Sequence, residues 1–258
     1  MAVLGSFKGA IKRVLRKVGL EVEYVGVRRS GRGSGVVGEA SAPYRENAEV
    51  GPVNLSEKKA RQAEGEPFEW PNIVALNQAV AGLVGADRRI VELAGGTGCF
   101  AVEASKNPER VIVCSELDSA ASRWAAENRP RPNVRYIDRM PTSEDGPFDL
   151  VVAVELIEHV EDYVGLLRQC TMLAPRAIIT TPNRQRGPKF DVAGPPPVAK
   201  HVREWTAGEF YWVLRSFYGD VRLYAMPNPY VPEVVPIQVT DRLTPLIADC
   251  RKPILRGA

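Results

Sequence analysis

The chain has 258 residues, of which 45% are hydrophobic and 25% are charged. These fractions are ordinary for a globular protein and exclude a wholly disordered or fibrous chain. No run of 18 apolar residues is present, and the N-terminus lacks the apolar core of a signal peptide, so a cytoplasmic location is expected. The four cysteines are widely separated and form no C-x-x-C pair. This spacing favours reduced thiols over a zinc site or a disulfide framework.

Basic charge is concentrated at the N-terminus. The formal net charge of the chain is +3, and residues 1–45 carry nine Lys or Arg against three Asp or Glu. The rest of the chain therefore holds 25 basic and 28 acidic residues, a net charge of −3. A mildly acidic body argues against binding of long nucleic acid, although a short anionic substrate remains compatible with it.

Residues 3–18 place apolar side chains at helical spacing with five Lys or Arg between them. This pattern predicts a basic amphipathic helix, which either packs on the body or a second subunit or attaches peripherally to an anionic membrane or partner. Residues 30–41 are rich in Gly and Ser and predict a flexible connection. We therefore predict a helix and linker in residues 1–45 and a folded domain in residues 46–258.

From about Ser56 the pattern becomes regular. A polar helical stretch is followed by Pro71, which opens a predicted helix over residues 72–84. Short β-branched runs then alternate with helical segments, and the predicted strands are residues 90–93, 111–114, 134–137, 150–154 and 177–180. The predicted helices between these strands are residues 101–106, 119–128 and 160–173. Apolar strands that alternate with helices predict an α/β fold with a doubly wound, mostly parallel sheet.

The C-terminal part continues this alternation. A helix is predicted over residues 206–217, followed by strands over residues 221–225 and 234–239. Pro236 interrupts the last of these runs and cannot donate a ladder hydrogen bond, so we expect this strand at the edge of the sheet.

The first strand runs directly into a glycine-rich turn, Ala94-Gly95-Gly96-Thr97-Gly98. Glycines let the backbone approach a ligand closely, and the start of the next helix offers free N–H groups. Glu116 ends the second strand, where a carboxylate can accept hydrogen bonds from both hydroxyls of a ribose. Alternatively, Glu116 and Asp118 only cap the following helix.

Four ordered motifs carry a family resemblance: V-E-L-A-G-G-T-G, E-L-D, F-D-L-V-V-A-V-E-L-I-E-H-V and T-T-P-N. Together they resemble class I S-adenosylmethionine-dependent methyltransferases over roughly residues 73–225. The resemblance implies a Rossmann-like sheet of seven strands with an antiparallel last strand. A nicotinamide-binding protein is the less favoured alternative, because the E-x-x-E-H cluster is not part of its fingerprint.

The resemblance also implies a set of cofactor contacts. Glu92 and the turn would surround the amino-acid part of S-adenosylmethionine, and Glu116 would hold the ribose. Ala94 stands where the family usually has glycine, and we expect it to need only a negative φ. The full set of expected cofactor contacts is Glu92, Ala94, Gly95, Gly96, Thr97, Gly98, Glu116, Leu117, Glu155 and either Asp138 or Met140 at the adenine.

An acid–histidine cluster follows the fourth strand, at the sheet edge where α/β proteins bind ligands. If the chain is helical there, Glu155, Glu158 and His159 share one face. The second histidine of the chain, His201, lies 42 residues further on. In one interpretation His159 is an orienting residue and His201 is the general base.

In the other interpretation, Glu155, Glu158, His159 and His201 hold Mg²⁺, Mn²⁺ or Zn²⁺, which would lower the pKa of an acceptor hydroxyl. The E-x-x-E-H, T-P-N and H-x-x-E-W-T motifs are similar to two groups of enzymes. These are the ubiquinone-pathway O-methyltransferases and the small-RNA 3′-terminal 2′-O-methyltransferases. In the second group such residues hold a metal, which by position would make all four residues ligands here.

The loop over residues 183–204 has a local excess of basic charge, from Arg184, Arg186, Lys189, Lys200 and Arg203. This excess favours an anionic substrate, unless the loop is only a solvated surface. We therefore expect methylation of a small-molecule hydroxyl on a sugar, glycan precursor or phenol, with catalytic roles for His201, His159 and Glu155. The alternatives are methylation of an RNA 3′-terminal ribose and a non-catalytic adapter that retains the fold.

Overall fold

The computed structural model describes residues 55–64, 68–186 and 194–254. The helices in these residues are α1 (Leu55–Ala63), α2 (Pro71–Leu83), α3 (Cys99–Ala104), α4 (Ser119–Asn128), α5 (Tyr163–Leu173) and α6 (Ala207–Arg215). The strands are β1 (Arg89–Leu93), β2 (Val111–Ser115), β3 (Val134–Ile137), β4 (Leu150–Ala153), β5 (Arg176–Thr181), β6 (Tyr218–Ala225), β7 (Val235–Pro236) and β8 (Leu246–Pro253).

The predictions for residues 1–45 lie outside the described residues and stay predictions. Within the described residues, every helix is too short or too polar to cross a bilayer.

The strands form one sheet in the order β3-β2-β1-β4-β5-β8-β6-β7. The first five strands in this order pair in parallel, and β8 pairs antiparallel with both β5 and β6. The predicted doubly wound α/β fold is confirmed. The sheet has eight strands rather than the seven expected, because it holds both the short edge strand β7 and the unpredicted strand β8.

The C-terminal strands differ from the sequence prediction. The strand expected over residues 234–239 is reduced to Val235–Pro236, although its place at the sheet edge is as Pro236 predicted. Strand β8 was not predicted at all, because Asp249, Arg251 and Lys252 interrupt its apolar pattern. It is nevertheless central, since it inserts between β5 and β6.

Helices cover both faces of the sheet. On one face, Ile90 and Ile112 pack with residues of α2 and α3. On the other face, Val91 and Leu93 belong to a core that includes residues of α5 and α6. Successive residues of β1 thus enter opposite cores, as expected for a strand buried on both sides. This packing fixes the strand ends that carry the site.

Arg176 at the start of β5 joins three elements through buried hydrogen bonds. Its guanidinium donates to the carboxylate of Asp249 in β8 at 2.7 and 3.0 Å and to Asp87 at 2.6 Å. It also donates to the carbonyl oxygens of Leu83 and Val84 at the end of α2, at 2.8 and 2.7 Å. These contacts explain how the buried carboxylate of Asp249 in β8 is accepted inside the sheet.

We expect Arg176→Ala to lower the free energy of unfolding by about 3 kcal/mol, because it leaves the buried Asp249 without its main counter-charge. Urea denaturation followed by circular dichroism measures this change. Arg251→Ala is the matched control: Arg251 also contacts Asp249, but its side chain is 49% exposed, and we expect a loss below about 1 kcal/mol. Equal losses in the two variants would contradict a special role for Arg176.

Candidate active site

Two segments meet at the carboxyl edge of the sheet because β1 and β4 are parallel neighbours. Leu93, the last residue of β1, is paired with Ala153, the last residue of β4. The glycine-rich turn after β1 and the acid–histidine segment after β4 therefore leave the sheet side by side. Ligands of open α/β sheets bind at this edge.

The turn after β1 is tightly wound. Ala94, Gly96 and Gly98 have φ values of 51°, 56° and 77°. A Cβ atom at Gly95 would overlap the Cys114 sulfur and the Glu92 carboxylate, so only glycine fits there. The expectation of a negative φ at Ala94 is wrong: this residue adopts the left-handed conformation, at a cost of about 1–2 kcal/mol for a non-glycine residue.

Glu92 places a buried carboxylate directly beneath the turn. Within the described residues, its Oε2 atom has no hydrogen-bond partner. Burial raises the pKa of Glu92 to about 8. Such a carboxylate is costly in the free protein and is suited to receive a cationic group.

Glu116 holds the same turn from the end of β2. Its Oε2 accepts from the N–H of Gly96 at 2.8 Å, and its Oε1 accepts from the N–H of Asp118 at 2.8 Å. Asp118 caps α4 by accepting from the N–H groups of Ala120 and Ala121. The capping function thus belongs to Asp118, while Glu116 faces the turn. Each Glu116 oxygen retains a lone pair for a further donor.

The other residues expected near the cofactor lie after β2 and β3. Leu117 is 61% exposed and Met140 is 37% exposed. Asp138 is also exposed. The hydroxyl of Ser115 donates to the carbonyl of Arg139 at 2.7 Å, which holds the segment after β3 against β2. An apolar and an acidic side chain are therefore available at this rim.

Sequence analysis missed a buried carboxylate that contacts the turn from the N-terminal side. Glu69 accepts from the Thr97 hydroxyl and from Lys58 Nζ at 2.7 Å, and it pairs with Arg129 at 3.3 Å. The preceding ring of Phe68 stacks on Trp124 with 4.3 Å between ring centroids. Glu69 lies in a charged stretch without periodicity, so no sequence pattern marks it.

The segment after β4 is not an α-helix. Glu155 has a φ of 49°, and residues 157–159 form a single 3₁₀ turn. The expectation that Glu155, Glu158 and His159 share a helical face is therefore wrong. The helix begins at Tyr163 rather than residue 160, because Asp162 caps it by accepting from the N–H of Gly165.

The left-handed turn directs Glu155 toward β5. Oε1 of Glu155 accepts a hydrogen bond from the Thr180 hydroxyl at 3.0 Å. The backbone N–H of Glu155 donates to the oxygen of that hydroxyl at 2.9 Å. Burial raises the pKa of Glu155 to about 7. Of the four residues expected to form a metal site, Glu155 is the one outside the cluster that the others form.

Glu158, His159 and His201 come together. One potential ligand atom from each lies within 4.8 Å of the other two. Both carboxylate oxygens of Glu158 are buried, and neither makes a hydrogen bond within the described residues. Burial and the nearby Glu155 raise the pKa of Glu158 well above its usual range. This carboxylate lacks the counter-charge that buried carboxylates normally have.

Both imidazoles are held through Nδ1. The Nδ1 of His159 donates to the carbonyl oxygen of Lys200 at 3.1 Å, and the Nδ1 of His201 lies 2.6 Å from Oε1 of Glu204. The two rings meet edge to face, with 4.8 Å between centroids. Burial lowers the pKa of His159, which favours its neutral form. The Nε2 atoms are thus left for other partners.

The arginines of the 183–204 loop have partners within the protein. Arg184 donates to the carbonyl oxygens of Gly194 and Pro195. Arg186 forms two hydrogen bonds with Glu204, and Arg203 lies over the rings of Tyr163 and Trp205. These engagements weaken the argument for an anionic substrate, while Lys189 lies outside the described residues.

Asn183, from the T-P-N motif, connects the end of β5 to the segment before β8. Its fully buried side chain donates to the carbonyl oxygens of Asp241 and Leu243, both at 3.0 Å. Its own N–H donates to the Thr244 hydroxyl at 3.2 Å. The motif thus has an architectural function that its sequence does not reveal.

The comparison with family models decides the identity of this fold. A model described as a methyltransferase domain matches residues 74–219, which include the glycine-rich turn and the acid–histidine cluster. The chain belongs to this methyltransferase family. No curated protein sequence matches the chain as a relative.

Solved structures agree on the fold of this methyltransferase. This chain is similar to a methyltransferase from Thermotoga maritima, which is described as S-adenosylmethionine-dependent and as a possible histamine N-methyltransferase. The TM-score is 0.54 at 18% identity, over 78% of this chain and 99% of that one. It is also similar to the plantazolicin methyltransferase BpumL in complex with SAH, with TM-score 0.52 and 11% identity over 76% and 90% of the two chains.

A third similar structure is the methyltransferase domain of bacterial CtHen1-C, with TM-score 0.52 and 14% identity over 70% of this chain and 99% of that one. At these identities the likeness concerns the fold alone.

The burial of Glu92 predicts that the stability of the folded protein depends on pH. The unfolded chain releases the proton of Glu92 near pH 4.5, whereas the folded protein keeps it to about pH 8. The folded state thus binds more protons in this window, and stability falls as pH rises through it. We expect this effect to lower the free energy of unfolding of the wild-type protein by on the order of 1–3 kcal/mol between pH 5 and 8, and we expect Glu92→Gln to remove that decline.

Urea denaturation at pH 5, 6.5 and 8 measures this decline. Glu109→Gln is the matched control, because its carboxylate is 63% exposed on the surface. If the Glu92→Gln protein shows the same slope as the wild type, the burial argument for Glu92 fails.

Proposed function

We propose that this methyltransferase transfers the methyl group of S-adenosylmethionine to a hydroxyl oxygen of a small molecule. The observation that carries the proposal is the cluster of Glu158, His159 and His201 beside the glycine-rich turn, with both Nε2 atoms available. A hydroxyl acceptor has to lose its proton, and this cluster has groups that can accept the proton or hold a cation that lowers the pKa of the hydroxyl.

The turn and its two carboxylates fit S-adenosylmethionine. The cradle at Gly95 brings the backbone close to a ligand, and the unpartnered Oε2 of Glu92 suits the ammonium of the amino-acid part. Glu116 has lone pairs left for the ribose hydroxyls. When bound, the cofactor supplies a methyl group activated by the sulfonium.

His201 provides the base. Nε2 of His201 would accept the proton of the acceptor hydroxyl as that oxygen takes the methyl group that the bound cofactor would supply. The protein orients the acceptor and excludes water, since alignment of the two partners supplies much of the rate. The ring of His159 packs against that of His201 in an edge-to-face contact.

The cluster also fits a divalent cation. Glu158 offers an unpartnered buried carboxylate, and two imidazoles held through Nδ1 are the usual form of metal-ligating histidines. Glu158, His159 and His201 would hold the ion, without Glu155. A cation there would lower the pKa of the acceptor hydroxyl, and His201 would then serve as ligand instead of base.

An RNA 3′-terminal ribose is the second candidate acceptor. The H-x-x-E-W-T motif favours it, because His201 of this motif lies close to Glu158 and His159, three of the four ligands that the resemblance to the small-RNA enzymes implies. The intramolecular partners of Arg184, Arg186 and Arg203 speak against it, since a phosphate backbone requires basic groups that are available.

We expect His201→Ala to reduce methyl transfer by at least about 100-fold, the usual contribution of a general base, with cofactor affinity nearly unchanged. Transfer of labelled methyl groups into a fractionated metabolite extract and into total RNA measures the first quantity. Calorimetry with S-adenosylmethionine measures the second. A parallel loss of both would show that His201 is structural, and an unlabelled extract with intact cofactor binding would favour the adapter.

Chelation separates the two versions of the mechanism. If a cation takes part, EDTA abolishes transfer and added Mg²⁺, Mn²⁺ or Zn²⁺ restores it. The Glu158→Gln variant should then no longer respond to added metal, because it lacks the anionic ligand. Full activity in EDTA would mean that His201 accepts the hydroxyl proton without the help of a cation.

A further inference from the structure

We propose that Glu204, held by Arg186, is a positioning residue that keeps the proton of His201 on Nδ1 and thereby presents Nε2 to the reaction. The inference deepens the proposed function, because that function gives Nε2 of His201 its chemical task. Its geometry, however, stands on contacts that require neither cofactor nor acceptor.

The Glu204 carboxylate is wholly buried and fully engaged. Its side chain has 0% exposure, against 9% for His201 and 17% for Arg186. Oε1 lies 2.6 Å from Nδ1 of His201 and 3.0 Å from one guanidinium nitrogen of Arg186. Oε2 accepts from the other guanidinium nitrogen at 2.6 Å.

This arrangement decides which imidazole nitrogen carries the proton. A carboxylate paired with a guanidinium is ionised and only accepts hydrogen bonds. The 2.6 Å contact therefore requires the proton on Nδ1 of His201. In the neutral ring Nε2 is then left with its lone pair, which either a base or a metal ligand needs.

The carboxylate is held independently of the histidine. Arg186 also donates to the carbonyl oxygen of Asn183 at 3.0 Å, which anchors the guanidinium to the end of β5. The backbone N–H groups of Val202 and Arg203 donate to the carbonyl oxygen of Glu158 at 2.8 and 3.2 Å. The segment that carries Glu204 is therefore fixed against the segment after β4. The Glu204 carboxylate then orients the ring of His201 through its contact with Nδ1.

The chain offers a direct spectroscopic test, because it contains only two histidines. Long-range ¹H–¹⁵N spectra of the untagged, cofactor-free protein in EDTA at pH about 8.5, well above the ordinary histidine pKa of about 6.5, report which nitrogen of each ring is protonated. The His159→Gln variant assigns the two ring systems. We expect His201 to show a protonated Nδ1 and an unprotonated Nε2.

Glu204→Leu should shift His201 toward the Nε2-protonated tautomer, while Glu204→Gln, whose amide oxygen can still accept from Nδ1, should retain the wild-type pattern. Glu209→Gln is the matched control, since its carboxylate caps α6 instead. In both Glu204 variants the spectrum of His159 should keep the pattern set by the Lys200 carbonyl.

A protonated Nε2 of His201 in the wild-type protein overturns the proposal without any variant having to fold. An unchanged tautomer in Glu204→Leu with a native circular dichroism spectrum overturns it as well. Neither result depends on methyl transfer. If the wild-type protein shows a protonated Nδ1 of His201 while the His201→Ala enzyme is fully active, the proposed function is refuted but the effect of Glu204 on the tautomer stands.

Discussion

The parallel pairing of β1 with β4 is the constraint on which the site depends. It places the turn after Leu93 next to the segment after Ala153, while Glu116 contacts the turn from the end of β2 and the loop of His201 is bonded to the segment after β4. The pairing itself is secured by two cores that bury alternate residues of β1 on opposite faces. Sheet register thus brings the segments of the site together, and the left-handed residues in these segments then direct its side chains.

Buried carboxylates give the site its electrostatic character. Burial raises the pKa values of Glu92, Glu155 and Glu158. Glu204 differs: although burial opposes ionisation, hydrogen bonds from His201 and Arg186 lower its pKa to about 2. Among the described residues, the first three form no ion pair such as that of Glu204 with Arg186, and Glu92 and Glu158 keep unpartnered oxygens. The protein therefore maintains a fixed anion behind His201 and unsatisfied acceptors where ligands are expected.

Much of the fold could be predicted from sequence, because β1 to β5 are apolar runs separated by helices of recognisable period. Strand β8 could not, since the buried Asp249 has its main counter-charge in Arg176, 73 residues away in the chain. The same limit applies to the site. The glycine-rich turn and the meeting of Glu158 with His159 and His201 follow from motifs, whereas the left-handed φ of Glu155 and the contact of Glu69 with Thr97 depend on packing that no local pattern records.

The bonds of Asn183 have an evolutionary consequence. Its amide donates to the backbone carbonyl oxygens of Asp241 and Leu243, not to their side chains. Most substitutions at these two positions would leave the tether intact. Relatives of this enzyme can therefore exchange the side chains of that loop while the path of its backbone stays constant.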